Sequence, residues 1–276
     1  MQSRRWPPAD PFFPARPGEL AISTEPLLGD GVASAAAHGL PVVEMSEGGG
    51  ASVQRDLRLR VGLHSPRPPL STRQRRFKLG TTGFMLTMHV GAVAALLPMF
   101  WSWQAVLILA VLYWTTVLGV TLGLHRLVAH RSFETPRWLE RVLVLMGTLA
   151  CQSGPIEWVG LHRHHHLHSD QANDHHDAAR GLWWAHSEWM LHDIPALREI
   201  HRFTGDLRRD PFYCWLDRWF LLLQLPLGAA LYWYGNRAGV HGGGLGLVLW
   251  AIPLRLVLVY HVTWLVNSAT HAFGYR

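Results

Sequence analysis

The sequence predicts an all-α membrane protein: four transmembrane helices in two hairpins beneath a cytoplasmic helical cap that holds a His-rich site for two metal ions. Three observations lead there. Charged residues make up only 16% of the 276 residues, while apolar ones reach 49%. The apolar residues collect into runs of the length that crosses a bilayer. The 18 histidines collect at the ends of those runs and between them. A mean hydropathy of +0.08 hides this pattern, because it averages a polar N-terminus with a very apolar remainder.

Residues 1–70 hold "WPPADPFFPARPG", "SEGGGAS" and "SPRPPLS". They have no apolar periodicity with which to bury a core, so disorder is expected. No apolar stretch follows the first basic residues, so no secretory signal is expected. From Leu79 the text changes. "LGTTGFMLTMHVGAVAALLPMF" (79–100) and "AVLILAVLYWTTVLGVTLGL" (105–124) form one hairpin, with Phe100, Trp101 and Trp103 placed as an interfacial aromatic belt. Residues 215–234 and 244–266 form a second pair. "VLVLMGTLAC" (142–151) is too short to span and reads as a buried or interfacial helix.

Charge sets the orientation. The net charge of +6 rests on 24 arginines and the single Lys78. Arg67, Arg73, Arg75, Arg76 and Lys78 precede the first span and place the N-terminus in the cytoplasm; such clusters beside apolar runs serve membrane orientation rather than nucleic-acid binding. Both hairpins then turn outside, and residues 125–214 and the C-terminus return to the cytoplasm. Cys151 and Cys214 are too few for a disulfide framework and lack metal-ligand spacing, so both read as small apolar fillers.

Twelve histidines lie between 125 and 201. "HRLVAH" puts His125 and His130 where the second span leaves the membrane. In "HRHHHLH", at about 100° per residue, His162, His165 and His166 share an arc of roughly 100° on a helix. His164 and His168 fall on another face and are expected to meet solvent or to brace the ligands. "NSATH" closes the fourth span with Asn267 and His271 one helical turn apart. All three clusters reach one membrane face, and convergent neutral imidazoles suit iron or zinc. Asp170, Asp174 and Asp177 in "SDQANDHHD" are placed to hold the outer N–H groups of such ligands. His89 and His261 lie inside spans as satisfied polar residues. Arg255 is expensive there unless it faces the bundle interior. The Trp-rich "GLWWAHSEWM" (181–190) reads as an interfacial anchor.

The stretches "GLHRLVAHRSF", "GPIEWVGLHRHHHLHSDQANDHHD", "GLWWAHSEWML" and "YHVTWLVNSATHAFGYR" resemble the membrane fatty-acid desaturases, above all the bacterial and cyanobacterial Δ9 type. The resemblance runs from about residue 79 to the last residue, making 71–276 the desaturase domain. It implies a centre of two iron ions that uses O2 and two electrons to place a cis double bond in a saturated acyl chain. It implies His125, His130, His162, His165, His166 and His271 as ligands, with Asn267 acting through a water. Gln152, Trp158 and Thr263 match the positions that line the family's bent acyl tunnel. Electrons are expected from a separate ferredoxin or cytochrome b5-like donor, and the setting is a bacterial inner membrane or a thylakoid.

Two departures from the family are visible. Its third box, H-N-x-H-H, is not present before Arg276, so six histidines stand where the family uses nine. An under-coordinated iron and poor metal binding by this chain are expected, either from a truncated reading frame or from a site completed otherwise; recruitment of His168, His175 or His176 is not expected. Where animal acyl-CoA desaturases carry Arg-Asp before the second box, this chain has Gly160 and Leu161, which favours an acyl chain esterified in a membrane lipid over acyl-CoA. The alternatives are a related di-iron hydroxylase or ketolase, and an inactive truncated fragment.

Overall fold

The computed structural model describes residues 76–169 and 171–273. The disorder expected over 1–70, the arginines at 67, 73 and 75, and Asp170 lie outside the described residues. Those described are helical with short connections, and an isolated antiparallel bridge joins Phe77 to His192.

Helix α1 spans Leu79–Ala95 and stops ahead of Pro98, which cannot supply the N–H a continuing helix needs. A 3₁₀ turn, Pro98–Phe100, leads to Ser102, whose hydroxyl accepts from the Ala105 N–H and caps α2, Trp103–Leu118. Helix α2 runs on without a break into a π-helical segment, Gly119–Ala129, for 27 residues in all. Its exposed Leu107, Val111, Trp114 and Leu118 recur at helical spacing, an apolar stripe fit to face lipid. At the other end of the chain α8 (Gly243–Leu249), a π turn around Pro253 (Trp250–Leu254) and α9 (Arg255–Ala272) form one 30-residue rod. These two rods are long and apolar enough to cross a membrane, whereas α1 is apolar but has 17 residues.

The third expected span, 215–234, is divided. After the short helix α5 (Leu182–His186), Asp210 caps α6 (Pro211–Trp219), a 3₁₀ turn follows at Phe220–Leu223, and α7 covers Gln224–Arg237. The physical reason lies in Asp217. Its carboxylate accepts from the Ile156 and Glu157 N–H groups at 2.9 and 3.2 Å, at the N-terminus of α4 (Pro155–His168). A helix N-terminus attracts negative charge. Residues 211–219 are thereby bound to the histidine-bearing layer, and the apolar run proper starts near Gln224.

The expected short helix forms as α3, Arg137–Thr148, with Val144 buried and Trp138, Val142 and Leu145 exposed. It meets the π-helical segment at glycine. A Cβ on Gly119 would lie 2.1 Å from the Gly147 N, and one on Gly147 would lie 2.6 Å from the Gly119 O. Gly119→Ala must push the two helices apart, at a cost of about 1–3 kcal/mol for overpacking. The expected result is a lower thermal midpoint in detergent together with reduced metal binding, since His125 lies six residues on in the same π-helical segment. An unchanged midpoint would contradict the contact.

Three apolar clusters hold the bundle. The largest, with Leu124, Leu127, Val144, Val159 and Leu207, lies between the π-helical segment, α3 and α4. Arg255 does face the interior: it is fully buried and donates to Thr116 Oγ1 (3.0 Å) and Gln224 Oε1 (2.7 Å), tying α9 to α2 and α7. Cys151 is buried as expected, but Cys214 is exposed on α6, so the filler reading fails there.

Candidate metal centre

His125 and His130 are five residues apart, which on an α-helix would set them about 140° apart. The π-helical segment changes that. Its wider turn bonds the His130 N–H to the His125 carbonyl at 2.9 Å and brings the two rings to 4.5 Å. A π-bulge at a functional position is a recurrent device. Helix α4 supplies the partners. Gly154 and Pro155 open it, and His162 and His166, four residues apart, share one face. The Trp158 ring stacks on His162 at 5.2 Å and fixes its plane.

The imidazole Nε2 atoms of these four residues converge. His130 lies 3.2 Å from His125 and 2.9 Å from His162, and His166 lies 3.0 Å from His162. One candidate ligand atom from each falls within 4.8 Å of all the others. Ligand nitrogens about 2.1 Å from a shared metal stand about 3 Å apart, so the spacing suits an ion. Burial, reinforced by the neighbouring imidazoles, holds His162 far below the usual histidine range and pushes His166 down to about 4. Neutral rings with free lone pairs are what a metal requires.

A second group sits beside the first. His165, Asp174 and His176 are buried and also place one candidate ligand atom each within 4.8 Å of the others. The His165 Nδ1 is 3.0 Å from both Asp174 oxygens, and its ring lies 4.0 Å from His176 and 5.0 Å from His271. Burial would raise the Asp174 pKa, but the hydrogen bond from His165 and the neighbouring imidazoles outweigh it and hold the carboxyl well below its usual range. His176 is pushed down to about 3, chiefly by burial and then by His165. Its Nδ1 is buried without a hydrogen-bond partner, and as a lone-pair nitrogen it is of the kind a cation satisfies.

A buried ion network sets the spacing between the first two clusters. Arg163 donates to Asp206 Oδ1 (2.9 Å), Asp206 Oδ2 (3.1 Å), the Phe203 carbonyl (2.6 Å) and the Val128 carbonyl (2.9 Å). Arg131 reaches the same carboxylate at 2.8 Å. Arg131 and Val128 flank His130, while Arg163 follows His162, so one aspartate locks the two histidine pairs together. Burial would raise Asp206, yet Arg163 and Arg131 keep it below the usual carboxylate value.

A cavity of about 450 Å³ opens against this cluster, with His162, His176 and Asn267 on its wall. Gln152, Trp158 and Thr263 line it as well. They form a chain: the Gln152 Nε2 donates to Thr263 Oγ1 at 2.6 Å, and the Trp158 Nε1 donates to Gln152 Oε1 at 3.2 Å. Phe84, Met85 and Trp264 supply apolar wall.

The structure therefore brings His125, His130, His162 and His166 into one group and His165 into its neighbour, while His271 stands beside that second group, its ring 5.0 Å from His165, without converging on it. Asn267 stands on the cavity wall. Asp174 takes the bracing position foreseen for an acid, while Asp177 accepts from the Ala179 N–H and pairs with Arg180. His164 is buried rather than solvent-facing, because Phe203 and His168 close over its ring at 5.9 and 4.4 Å. His176 joins this second group against the expectation that it is not recruited: it carries no spacing signal that sets it above His175, and only the turn after α4 brings it to His165. Two of the three expected anchor tryptophans brace this turn instead. Trp184 donates to the His175 carbonyl at 3.0 Å and Trp189 packs on the His175 ring at 4.5 Å, leaving Trp183 exposed. Asp174→Asn is expected to lower metal affinity about 10- to 100-fold, the usual cost of losing an outer partner. Metal titration checks this, and an unchanged affinity would remove Asp174 from the site.

The profile of the fatty acid desaturase family matches residues 101–276. An sn-1 stearoyl-lipid 9-desaturase of Anabaena variabilis is 52% identical over 196 residues, 71% of this chain and 69% of its own length. An enzyme of the same name from Synechocystis sp. is 48% identical over 193 residues, 70% of this chain and 58% of its own. An sn-2 palmitoyl-lipid 9-desaturase of Nostoc sp. is 45% identical over 190 residues, 67% of this chain and 64% of its own. Matched along most of its helical part at about half identity, and with its histidines drawn together in space, the chain belongs to the fatty acid desaturase family.

Proposed function

We propose that this chain is an O2-dependent acyl desaturase that introduces a cis double bond, at Δ9, into a saturated acyl group of a membrane lipid, with residues 71–276 as the catalytic domain. The observation that carries the reading is the meeting of the histidine groups with one cavity whose wall holds the linked Gln152, Trp158 and Thr263. His125, His130, His162 and His166 would hold one iron, and His165, His271 and His176 the other, with Asn267 acting through a water. Asp174 supports the second group through His165. The bound irons supply the activation of O2. The chain's own residues do the rest: the Gln152 bridge fixes the bend of the slot, and Phe84, Met85 and Trp264 exclude water from the acyl chain. A slot of this kind decides which carbons face the metals.

Gly160 supports a lipid substrate over acyl-CoA. With Leu161 it offers neither the charge nor the donor of the CoA-binding pattern, and a Cβ there would lie 3.2 Å from the Ile200 carbonyl, tighter than ordinary contact. The sn-1 stearoyl group named for two of the relatives is the substrate we assign. The protein is a multi-pass membrane protein with four spans, its histidine layer and termini on the cytoplasmic side of a bacterial inner membrane or thylakoid. A ferredoxin or cytochrome b5-like protein supplies the electrons.

Expression in a host lacking Δ9 unsaturation, followed by fatty-acid profiling, tests this. The expected product is a cis-Δ9 monoene, formed from stearoyl-glycerolipid in preference to stearoyl-CoA. Hydroxylated or keto products would move the chain to the related hydroxylases and ketolases, and an unaltered profile would make it non-catalytic. Either result overturns the reading, and preference for the CoA ester overturns the substrate assignment.

A further inference from the structure

An open cleft of about 370 Å³ lies between α3 and the start of α6, sharing no lining residue with the acyl cavity. Arg137, Arg141 and Arg209 line it, with Asp206, Asp210 and Pro211. Its two acids are already engaged. Asp206 serves Arg163 and Arg131. Asp210 accepts from the Phe212 N–H at 3.0 Å and from Arg137 at 3.4 Å. Among the described residues neither Arg141 nor Arg209 has a carboxylate partner, so the cleft keeps a surplus of positive charge. Its walls are fixed. The Tyr213 hydroxyl donates to Glu140 Oε1 at 2.7 Å, both residues being buried, which ties α6 to α3. The Arg141 guanidinium lies over the Phe212 ring at 5.2 Å.

Helical phase splits the exposed face of α3 into two strips. Arg137 and Arg141 form one, while Trp138, Val142 and Leu145 form the other. On α6 the exposed Arg218 stands beside exposed Trp215 and Trp219 in the same way, its guanidinium 5.3 Å from the Trp219 ring. Helices with an apolar strip beside a row of arginines lie in the surface layer of a bilayer.

The register of α3 sets its depth. Gly119 abuts Gly147, and a Cβ on Gly123 would lie 2.5 Å from the Leu143 carbonyl oxygen, so α3 runs antiparallel to the π-helical segment. Arg141 then stands near the level of His125, and Arg137 near that of Ala129. Measured from Trp103 in the opposite aromatic belt, those levels lie about 33 and about 39 Å along the rod. The hydrocarbon core is about 30 Å thick and headgroups extend it to about 40–45 Å, so both arginines fall in the headgroup layer.

We propose that this cleft binds the phosphate of an anionic phospholipid, one whose headgroup carries no compensating cation, such as phosphatidylglycerol. The inference rests on the membrane reading of the chain and is independent of its catalysis. Guanidinium groups match phosphate oxygens in pairs. A choline headgroup would bring a cation against three arginines, so charge selects the anionic lipid. An acidic soluble protein would meet the arginines but leave Trp138, Val142 and Leu145 in water, whereas a lipid covers both strips.

Native mass spectrometry of the full chain in mild detergent, with phosphatidylglycerol or phosphatidylcholine added, reads lipid retention directly. Phosphatidylglycerol should be retained in preference. An arginine near a membrane surface contributes about fivefold in affinity for anionic lipid, so Arg141→Gln with Arg209→Gln should weaken phosphatidylglycerol binding about 25-fold. Phosphatidylcholine retention should stay as it is. Arg141→Lys with Arg209→Lys keeps the charge and should keep most of the preference. Arg237→Gln, at an exposed arginine ending α7, should not alter it. A second readout needs no variant: phosphatidylglycerol should raise the thermal midpoint of the unaltered chain more than phosphatidylcholine does at equal concentration. Equal retention or equal midpoints with the two lipids, or an unchanged preference in the double glutamine variant, overturns the proposal. So does an acidic ferredoxin that displaces phosphatidylglycerol, since the arginines would then serve a protein. A chain that floats with vesicles of neither lipid would defeat the membrane reading, and the lipid site with it.

Discussion

Replacing His162 with alanine is expected to strip metal from the first group and abolish desaturation. Its Nε2 faces two of the other three nitrogens, at 2.9 Å from His130 and 3.0 Å from His166, so it is the hinge of that group. Loss of a mere outer partner costs about 10- to 100-fold in metal affinity or activity, and loss of a direct donor from the middle of the group must exceed that. His168→Ala serves as the comparison, since His168 lies on another face and bonds its Nδ1 to the His164 carbonyl. Metal content of both purified variants checks the expectation. Equal metal in His162→Ala and the unaltered chain would contradict the convergence.

The second large effect concerns stability. Asp206→Ala leaves Arg163, only 2% exposed, without the carboxylate it shares with Arg131. Breaking a buried ion pair from one side costs about 3–5 kcal/mol, because the remaining charge is stranded. The same pairing has a pH signature. The folded Asp206 pKa is depressed, so its contribution is full above the unfolded value near 3.9 and is lost as pH falls through the folded value. Unfolding in denaturant should show the loss at neutral pH, with the gap between variant and parent closing in acid. A variant as stable as the parent at pH 7 would mean the network contributes nothing.

Much of this architecture is legible in the sequence because it rests on local pattern. The 3.6-residue period alone places His162, His165 and His166 on one face of α4, and apolar run length alone marks α2 and the α8–α9 rod. What escaped depends on geometry that no period records. The His125–His130 spacing of five suits a π-helical turn, and no propensity rule signals that Gly119 to Ala129 adopts one. Asp217 breaks the third run by serving the start of a helix sixty residues earlier, a contact only the tertiary fold creates. His176 and Asp174 lie beyond the end of α4, where turn conformation rather than helical phase decides what they meet. His89, His186 and His261 each look like isolated polar residues until three distant elements set them edge to edge.

Two adjoining donor groups are the core of the account, and iron content is the measurement that meets them most directly. The 276-residue chain, purified in mild detergent after growth with iron, should carry close to two irons per chain, against the poor metal binding expected from six histidines, because Asp174 and His176 converge with His165 in a second group. Asp174→Asn should lose iron from that group first. One iron or fewer in the unaltered chain, with no further loss in that variant, would contradict a paired centre built from these residues.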